Sequence, residues 1–305
     1  MQNRTVVTEF LLLGLSSDPN LQILLFLVFL FIYLMTLTGN ALIVLIIKVD
    51  PQLHSSMYFF LGHLAFADIC CSTVIVPKML KNFLEKKKNI SLNGRIAQIF
   101  FFLSACAEVF MLSAMAYDRY IAVCKPLHYA RLMSKQLRIQ LVAGAWVVGF
   151  LYALINAIPL LSLSFCERNI VTHFSCELPL LLVLCCTKTF INKMVLQITV
   201  LISGLSSFFL TLIPYIHIIS IILRVHSKEA RQKTFSTCSS HLIVVGIFYV
   251  TAFSQYLRPT PDVLGAFDKL VSIQYSILTP MLNFLIYTMK NKSVKESLVK
   301  NTKKL

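Results

Sequence analysis

Residues 21–47 read LQILLFLVFLFIYLMTLTGNALIVLII, a run without a single charge. At 1.5 Å of rise per residue, about 20 apolar positions cross a ~30 Å hydrocarbon core as a helix. A core helix of a soluble domain needs only about 10–14. Six comparable stretches follow at 57–77, 96–116, 139–165, 194–223, 234–257 and 270–289. Two of them carry one acid each, Asp68 and Glu108, and the others carry none. The short alternating segments of a membrane β-barrel, ~10 residues each, are not seen. The expected fold is all-α, a bundle of seven transmembrane helices followed by a short amphipathic helix, forming one domain over 1–305, with tails at 1–22 and 290–305.

Composition agrees with that reading. Apolar residues make up 57% and charged residues 13%, against ~45–50% and ~25% in soluble domains. A water-soluble enzyme could not hide so much apolar surface, and a disordered chain would need far less of it. The formal charge is +15, from 28 Lys and Arg against 13 Asp and Glu. In a soluble protein that excess would suggest nucleic acid. In a membrane bundle it suggests loops facing anionic lipid or an acidic cytosolic partner, with no nucleic acid involved.

Loop charges set the orientation. With the N-terminus outside and the C-terminus inside, 16 of the 28 cations fall on inner segments. The run Lys86-Lys87-Lys88 dilutes the bias from the outer side. Asn3-Arg4-Thr5 is a glycosylation sequon that fits an outer N-terminal tail, and Asn89-Ile90-Ser91 is a second one. No cleavable leader is read in the first 20 residues, so the first span is expected to direct insertion. The longest outer loop, about 164–190, holds Cys166, Cys176, Cys185 and Cys186. Four cysteines on the oxidising side make a disulfide candidate.

Three acids lie in or at the edge of spans: Asp68, Glu108 and Asp118. An ionised acid at mid-bilayer costs roughly 2.5–3.5 kcal/mol, so each is expected to face the bundle interior or water. Asp68 and Glu108 could share a proton or a cation, because neighbouring carboxylates disfavour double ionisation. Asp118 and Arg119 could pair with each other or with a partner chain.

The run Met115-Ala116-Tyr117-Asp118-Arg119-Tyr120, continued to Pro126, resembles the third-helix motif of olfactory receptors, a branch of the rhodopsin-like G-protein-coupled receptors. The resemblance extends along nearly the whole chain. It includes Gly39-Asn40, the segment from Leu53 to Leu61, Asp68, Pro77 to Leu80 and the sole tryptophan, Trp146. Further on, Lys233 to Leu242 is similar to the sixth-helix entry of olfactory receptors, and Phe248 to Thr251 and Tyr256 to Pro259 continue it. Pro280 to Asn283 with Ile286-Tyr287 resembles the seventh-helix signature.

The resemblance implies a receptor that binds small volatile odorants and activates a stimulatory heterotrimeric G protein, raising cyclic AMP. It implies no enzymatic activity, cofactor or metal, and places the chain in the plasma membrane of olfactory cilia. The implied pocket draws Phe101, Phe102, Ala105, Cys106 and Val109 from the third helix. Thr199, Ser203, Gly204, Tyr249, Ala252, Tyr256 and Ile273 face them. Phe101, Ala105 and Val109 would share one face at i, i+4, i+8. The implied switch and coupling residues are Asp118, Arg119, Tyr120, Tyr215, Lys233, His241, Asn283 and Tyr287. In activation Arg119 would leave Asp118, and Tyr215 and Tyr287 would move in to support it. Asn40, Asp68 and Glu108 form the implied polar core, and Asn3 is the implied glycosylation site.

Several positions depart from the pattern. Arg95 stands where olfactory receptors carry a cysteine bonded to the one that is here Cys176, so that bond cannot form. Cys176 is then free or paired with Cys185, while the second loop bond would join Cys166 to Cys186. Phe284 replaces a proline, which is expected to straighten the seventh helix and displace Tyr287. Pro214 adds a proline in the fifth helix, and Ser56 replaces one in the first inner loop. These departures leave open a member that folds without signalling. A transporter or channel would need an internal repeat, and none is found. An intramembrane enzyme would need a motif such as HExxH or GxSxG, and neither occurs.

Overall fold

The computed structural model describes residues 9–12, 18–85, 89–164, 170–171, 178–183, 185–187, 189–224, 227–256, 270 and 272–302. Among the described residues, five helical segments are long and apolar enough to cross a membrane unaided. The first is α1, Pro19–Val49, capped at its start by Asp18, whose side chain accepts from the Asn20 amide at 3.0 Å. The second is α2, Ser56–Leu84. The third combines α3, Leu92–Ser104, with α4, Ala107–Cys124. After the one-turn helix α5, Tyr129–Leu132, the fourth is α6, Lys135–Ala157, with a 3₁₀ turn at Ile158–Ser162. The fourth helix therefore ends short of the expected residue 165, where Pro159 follows its last α-helical turn. After the short helix α7, Leu178–Val183, the fifth is α8, Phe190–Arg224.

The last two spans are less uniform. In α9, Lys228–Tyr256, only Cys238–Ser254 is strongly apolar, because the helix begins in the polar run from Lys228 to Thr237. The seventh span enters through a π-helical turn, Gln274–Leu278, and continues as α10, Thr279–Lys290. A short final helix, α11, spans Lys292–Thr302. It buries Val294 and Ser297 and exposes Lys295 and Lys300, the amphipathic pattern expected after a seventh span. Asn291 caps it, accepting from the Val294 amide at 3.3 Å and from the Tyr58 hydroxyl at 3.1 Å.

Two close approaches set the helix packing. A Cβ on Gly149 of α6 would lie 2.5 Å from the Ser104 carbonyl and 2.9 Å from the Ala107 amide. Only glycine lets α6 press against the third span at that point. There the third span breaks, as Ala105 and Cys106 donate three residues back, to Phe102 and Leu103. A Cβ on Gly39 of α1 would lie 2.4 Å from Cδ1 of Phe284 on α10. The aromatic ring that replaces proline fills the notch left by Gly39.

A three-stranded sheet sits at the outer end, in the order β2-β1-β3. The central strand β1, Glu9–Leu12, pairs antiparallel with β2, Asn89–Ser91, and parallel with β3, Ile170–Val171. Part of the segment read from sequence as an outer tail is thus a strand joining two outer loops.

Candidate functional site

The expected ligand residues come from the third span, α8, α9 and the seventh span. Phe102, Ala105 and Val109 are buried between helices. The Phe102 ring meets Tyr275 edge-on at 5.7 Å, and Tyr275 meets Phe248 at 5.9 Å. Cys106 and Ser203 face each other across the gap to α8. Ser203 donates to the Thr199 carbonyl at 2.7 Å, and Thr199 is tied to Asn156 of α6 at 3.1 Å. Gly204 and Ala252 are half-buried, and Tyr249 is buried. Its hydroxyl approaches a cluster in which Ser113 Oγ lies 3.0 Å from Thr211 Oγ1 and donates to the Ser207 carbonyl at 3.2 Å.

Two expected members are placed elsewhere. Phe101 is 53% exposed and meets Phe100 edge-on at 5.4 Å on the outside of the bundle. The i, i+4, i+8 face fails because the helix tightens at Ala105–Cys106, which turns Phe101 away from Ala105 and Val109. Ile273 packs with Phe29, Val76 and Phe83 of the first two spans. The π turn at Gln274–Leu278 brings Tyr275 inward instead, and sequence reading did not find Tyr275. The side chain of Tyr256 lies outside the described residues, as does that of Lys233.

At the inner end, Asp118 is fully buried and accepts from the Tyr129 hydroxyl at 2.8 Å. Among the described residues no ion pair joins it to Arg119. The Arg119 guanidinium lies within electrostatic reach of Asp118 and also of Tyr215, Cys238, His241 and Tyr287. Tyr215 hydroxyl and His241 Nδ1 form a short hydrogen bond that ties α8 to α9. Tyr120 meets His217 at 5.6 Å with the rings tilted and carries the Lys125 ammonium 5.9 Å over its ring. Ser56 approaches Tyr129, so the hydroxyl that replaces proline joins the same inner network.

The polar core assembles around the seventh span. Asn283 donates to both Asp68 oxygens, at 3.1 and 3.2 Å. Asn40 donates to the Thr36 carbonyl at 3.0 Å and to Pro280 at 3.2 Å. Glu108 is buried within electrostatic reach of Asp68, but no hydrogen bond joins the two. Tyr287 is fully buried and lies within electrostatic reach of Asp68.

At the outer face, Arg95 is buried at the start of α3 and is engaged by a neighbouring group. Cys186 is disulfide-bonded. Its expected partner Cys166 lies outside the described residues, as do Cys176 and Asn3. Cys185 is a free thiol whose Sγ lies 3.4 Å from the Leu181 carbonyl, which removes it as a partner for Cys176. Burial pushes that thiol up to about 11, so it stays neutral and unreactive at neutral pH.

Comparison with known proteins gives one consistent picture. The family model described as olfactory receptor matches residues 29–304. The chain is 48% identical to human olfactory receptor 8S1 over 96% of its length and 81% of that receptor. It is 46% identical to human olfactory receptor 5G3, covering 97% and 95%. Olfactory receptor 5M5 of Mus musculus is 44% identical, covering 97% and 93%.

Proposed function

The chain belongs to the olfactory receptor family, odorant-sensing G-protein-coupled receptors of the membrane that are not enzymes, and from this we propose that it couples odorant binding to a stimulatory G protein. The observation that carries the proposal is the setting of Arg119. No ion pair joins it to Asp118, which stays within its electrostatic reach, and it neighbours the Tyr215–His241 pair and Tyr287. A cation held among neutral hydroxyls at the inner end suits a switch that presents it to a partner.

The odorant is held among Phe102, Ala105, Cys106, Val109, Ser203, Tyr249, Ala252 and Tyr275. These groups are mostly apolar, and a few hydroxyls orient the ligand. The ligand acts by binding the signalling arrangement more tightly than the resting one. The polar cluster of Ser113, Ser207 and Thr211 lies one turn below Val109 and passes the change to α8 and α9. Outward movement of α9 breaks the Tyr215–His241 bond, and Tyr215 turns to Arg119. Cyclic AMP then rises in the cell, with olfactory cilia as the working location.

The test is an odorant screen in cells carrying the receptor with a stimulatory G protein, with surface display measured in parallel. Odorant-evoked cyclic AMP that Arg119→Ala abolishes is the expected result. Silence across a broad panel, with surface display demonstrated, would refute the proposal.

A further inference from the structure

The second inner loop, residues 125–132, lies between the end of α4 and the start of α6. It is a 3₁₀ turn, Pro126–His128, followed by α5. It has little packing of its own. Only Tyr129 and Leu132 of this loop are not exposed, and Leu127 is 94% exposed. A segment with so few buried contacts opens easily unless those contacts are strong. The strongest is the bond from the Tyr129 hydroxyl to Asp118, 2.8 Å long and made to a buried carboxylate.

Two cations act on that carboxylate. Arg119 acts from the same helix, and Arg138 acts from α6, on the other side of the loop in the chain. Among the described residues neither comes within ion-pair distance. Arg138 lies one turn beyond Ser134, which caps α6 by accepting from the Leu137 amide at 3.3 Å. A cation there opposes the helix dipole, so α6 itself supplies no reason for its presence. Its surroundings supply one. The guanidinium sits 6.0 Å over the ring of Phe59, and that ring meets His63 edge-on at 4.9 Å. The Arg138 Nε is buried and has no hydrogen-bond partner among the described residues. The head group is thus drawn inward from the water that its half-buried side chain could reach, toward the ring and the charge of Asp118.

We propose that Arg138 is a positioning residue for the second inner loop. Its pull divides the Asp118 carboxylate between two cations and leaves it turned to Tyr129. Without Arg138, Arg119 is the one cation left acting on Asp118 among the described residues. The carboxylate then turns to Arg119, the Tyr129 bond weakens and the loop loosens. The loop is held by a charge on the helix that follows it, acting through a carboxylate on the helix that precedes it.

The experiment follows amide exchange of residues 127–132 in the full chain in lipid nanodiscs, without any ligand. Arg138→Met keeps a long apolar stem over Phe59 and removes the charge. Exchange should quicken about three- to fivefold, the scale of a partly exposed charge pair. Arg138→Lys keeps the charge and should exchange as the parent does. Lys135→Met, exposed in the same turn of α6, should change nothing. In an Asp118→Asn background Arg138→Met should have no further effect, because the charge it acts on is gone. Should Arg138→Met fail to fold, as judged by the fluorescence of Trp146, Arg138→Gln takes its place with the same expectation. Unchanged exchange in the uncharged variant overturns the proposal. So does quickening of equal size in the Asp118→Asn background, or quickening in Arg138→Lys, because either would mean that packing and not charge holds the loop.

Discussion

The contact between Gly39 and Phe284 yields the sharpest prediction. In Gly39→Ala the new methyl carbon meets Cδ1, Cε1 and Cγ of Phe284 at 2.4, 2.6 and 2.6 Å. Carbon atoms in good contact sit about 3.5–4.0 Å apart, so the ring must retreat by about 1 Å or more. Phe284 is half-buried against the main core cluster, with little room to do so. Overpacking of this kind costs about 1–3 kcal/mol. The alanine recovers about 0.8–1.0 kcal/mol of helix propensity, so the net loss is about 0–2 kcal/mol. In a Phe284→Ala background the clash is gone and the same substitution should stabilise by about 1 kcal/mol. The two effects of Gly39→Ala therefore differ in sign, with a coupling of about 1–3 kcal/mol. The assay is reversible denaturation in mixed micelles, followed by Trp146, the sole tryptophan of the chain. Equal effects of Gly39→Ala in the two backgrounds would refute the fit of ring to glycine.

Other consequences can be checked in the same preparation. Gly149→Ala should cost more than Gly39→Ala, because its methyl meets the Ser104 carbonyl and the Ala107 amide, backbone atoms that cannot rotate aside. A smaller loss for Gly149→Ala in the same denaturation assay counts against the tight crossing of α6 and the third span. Tyr129→Phe removes the 2.8 Å donor to buried Asp118 and should cost about 1–3 kcal/mol; an unchanged midpoint contradicts that bond. Asn283→Leu leaves both Asp68 oxygens without this donor and should cost a similar 1–3 kcal/mol or so, whereas Phe284→Leu next to it should cost less. The Ser297 hydroxyl donates to Asp50 at 2.6 Å and, with the Gln52 amide and Lys300, holds that carboxyl below its ordinary 3.8. A lowered folded value means that the docking of α11 is fully stabilised above 3.8 and weakens as pH falls through the lower folded value. Amide exchange of 292–302 should therefore be slow at neutral pH and quicken only in strong acid, and Ser297→Ala should quicken it at neutral pH.

The spans were legible because hydrocarbon thickness sets a length that no soluble element needs, and each stretch from 21–47 onward meets it. That Asp68 needs a partner inside the membrane was legible, but the sequence offered Glu108, whereas Asn283 of the seventh span takes it and Asn40 bonds Pro280 of the same span. The break at Ala105–Cys106 was not legible, because no proline or glycine marks it locally. The residue packed against it is Gly149, far along the chain on another helix. The exchange of Ile273 for Tyr275 stayed hidden for a related reason. One extra residue in a π turn rotates everything before it, and periodicity cannot place that turn. Asp118 looked like a partner for the adjacent Arg119, yet neighbours in sequence point in different directions on a helix, and Tyr129 at the start of α5 donates to the carboxylate.

The strand Glu9–Leu12 lies between the other two, so neither loop strand touches the other. Two loops separated by almost eighty positions are therefore held in register by four residues near the beginning of the polypeptide. Anyone shortening this receptor for expression would be removing a clasp. An epitope placed ahead of Met1 leaves the clasp shut, while a deletion through Leu12 frees both loops at once.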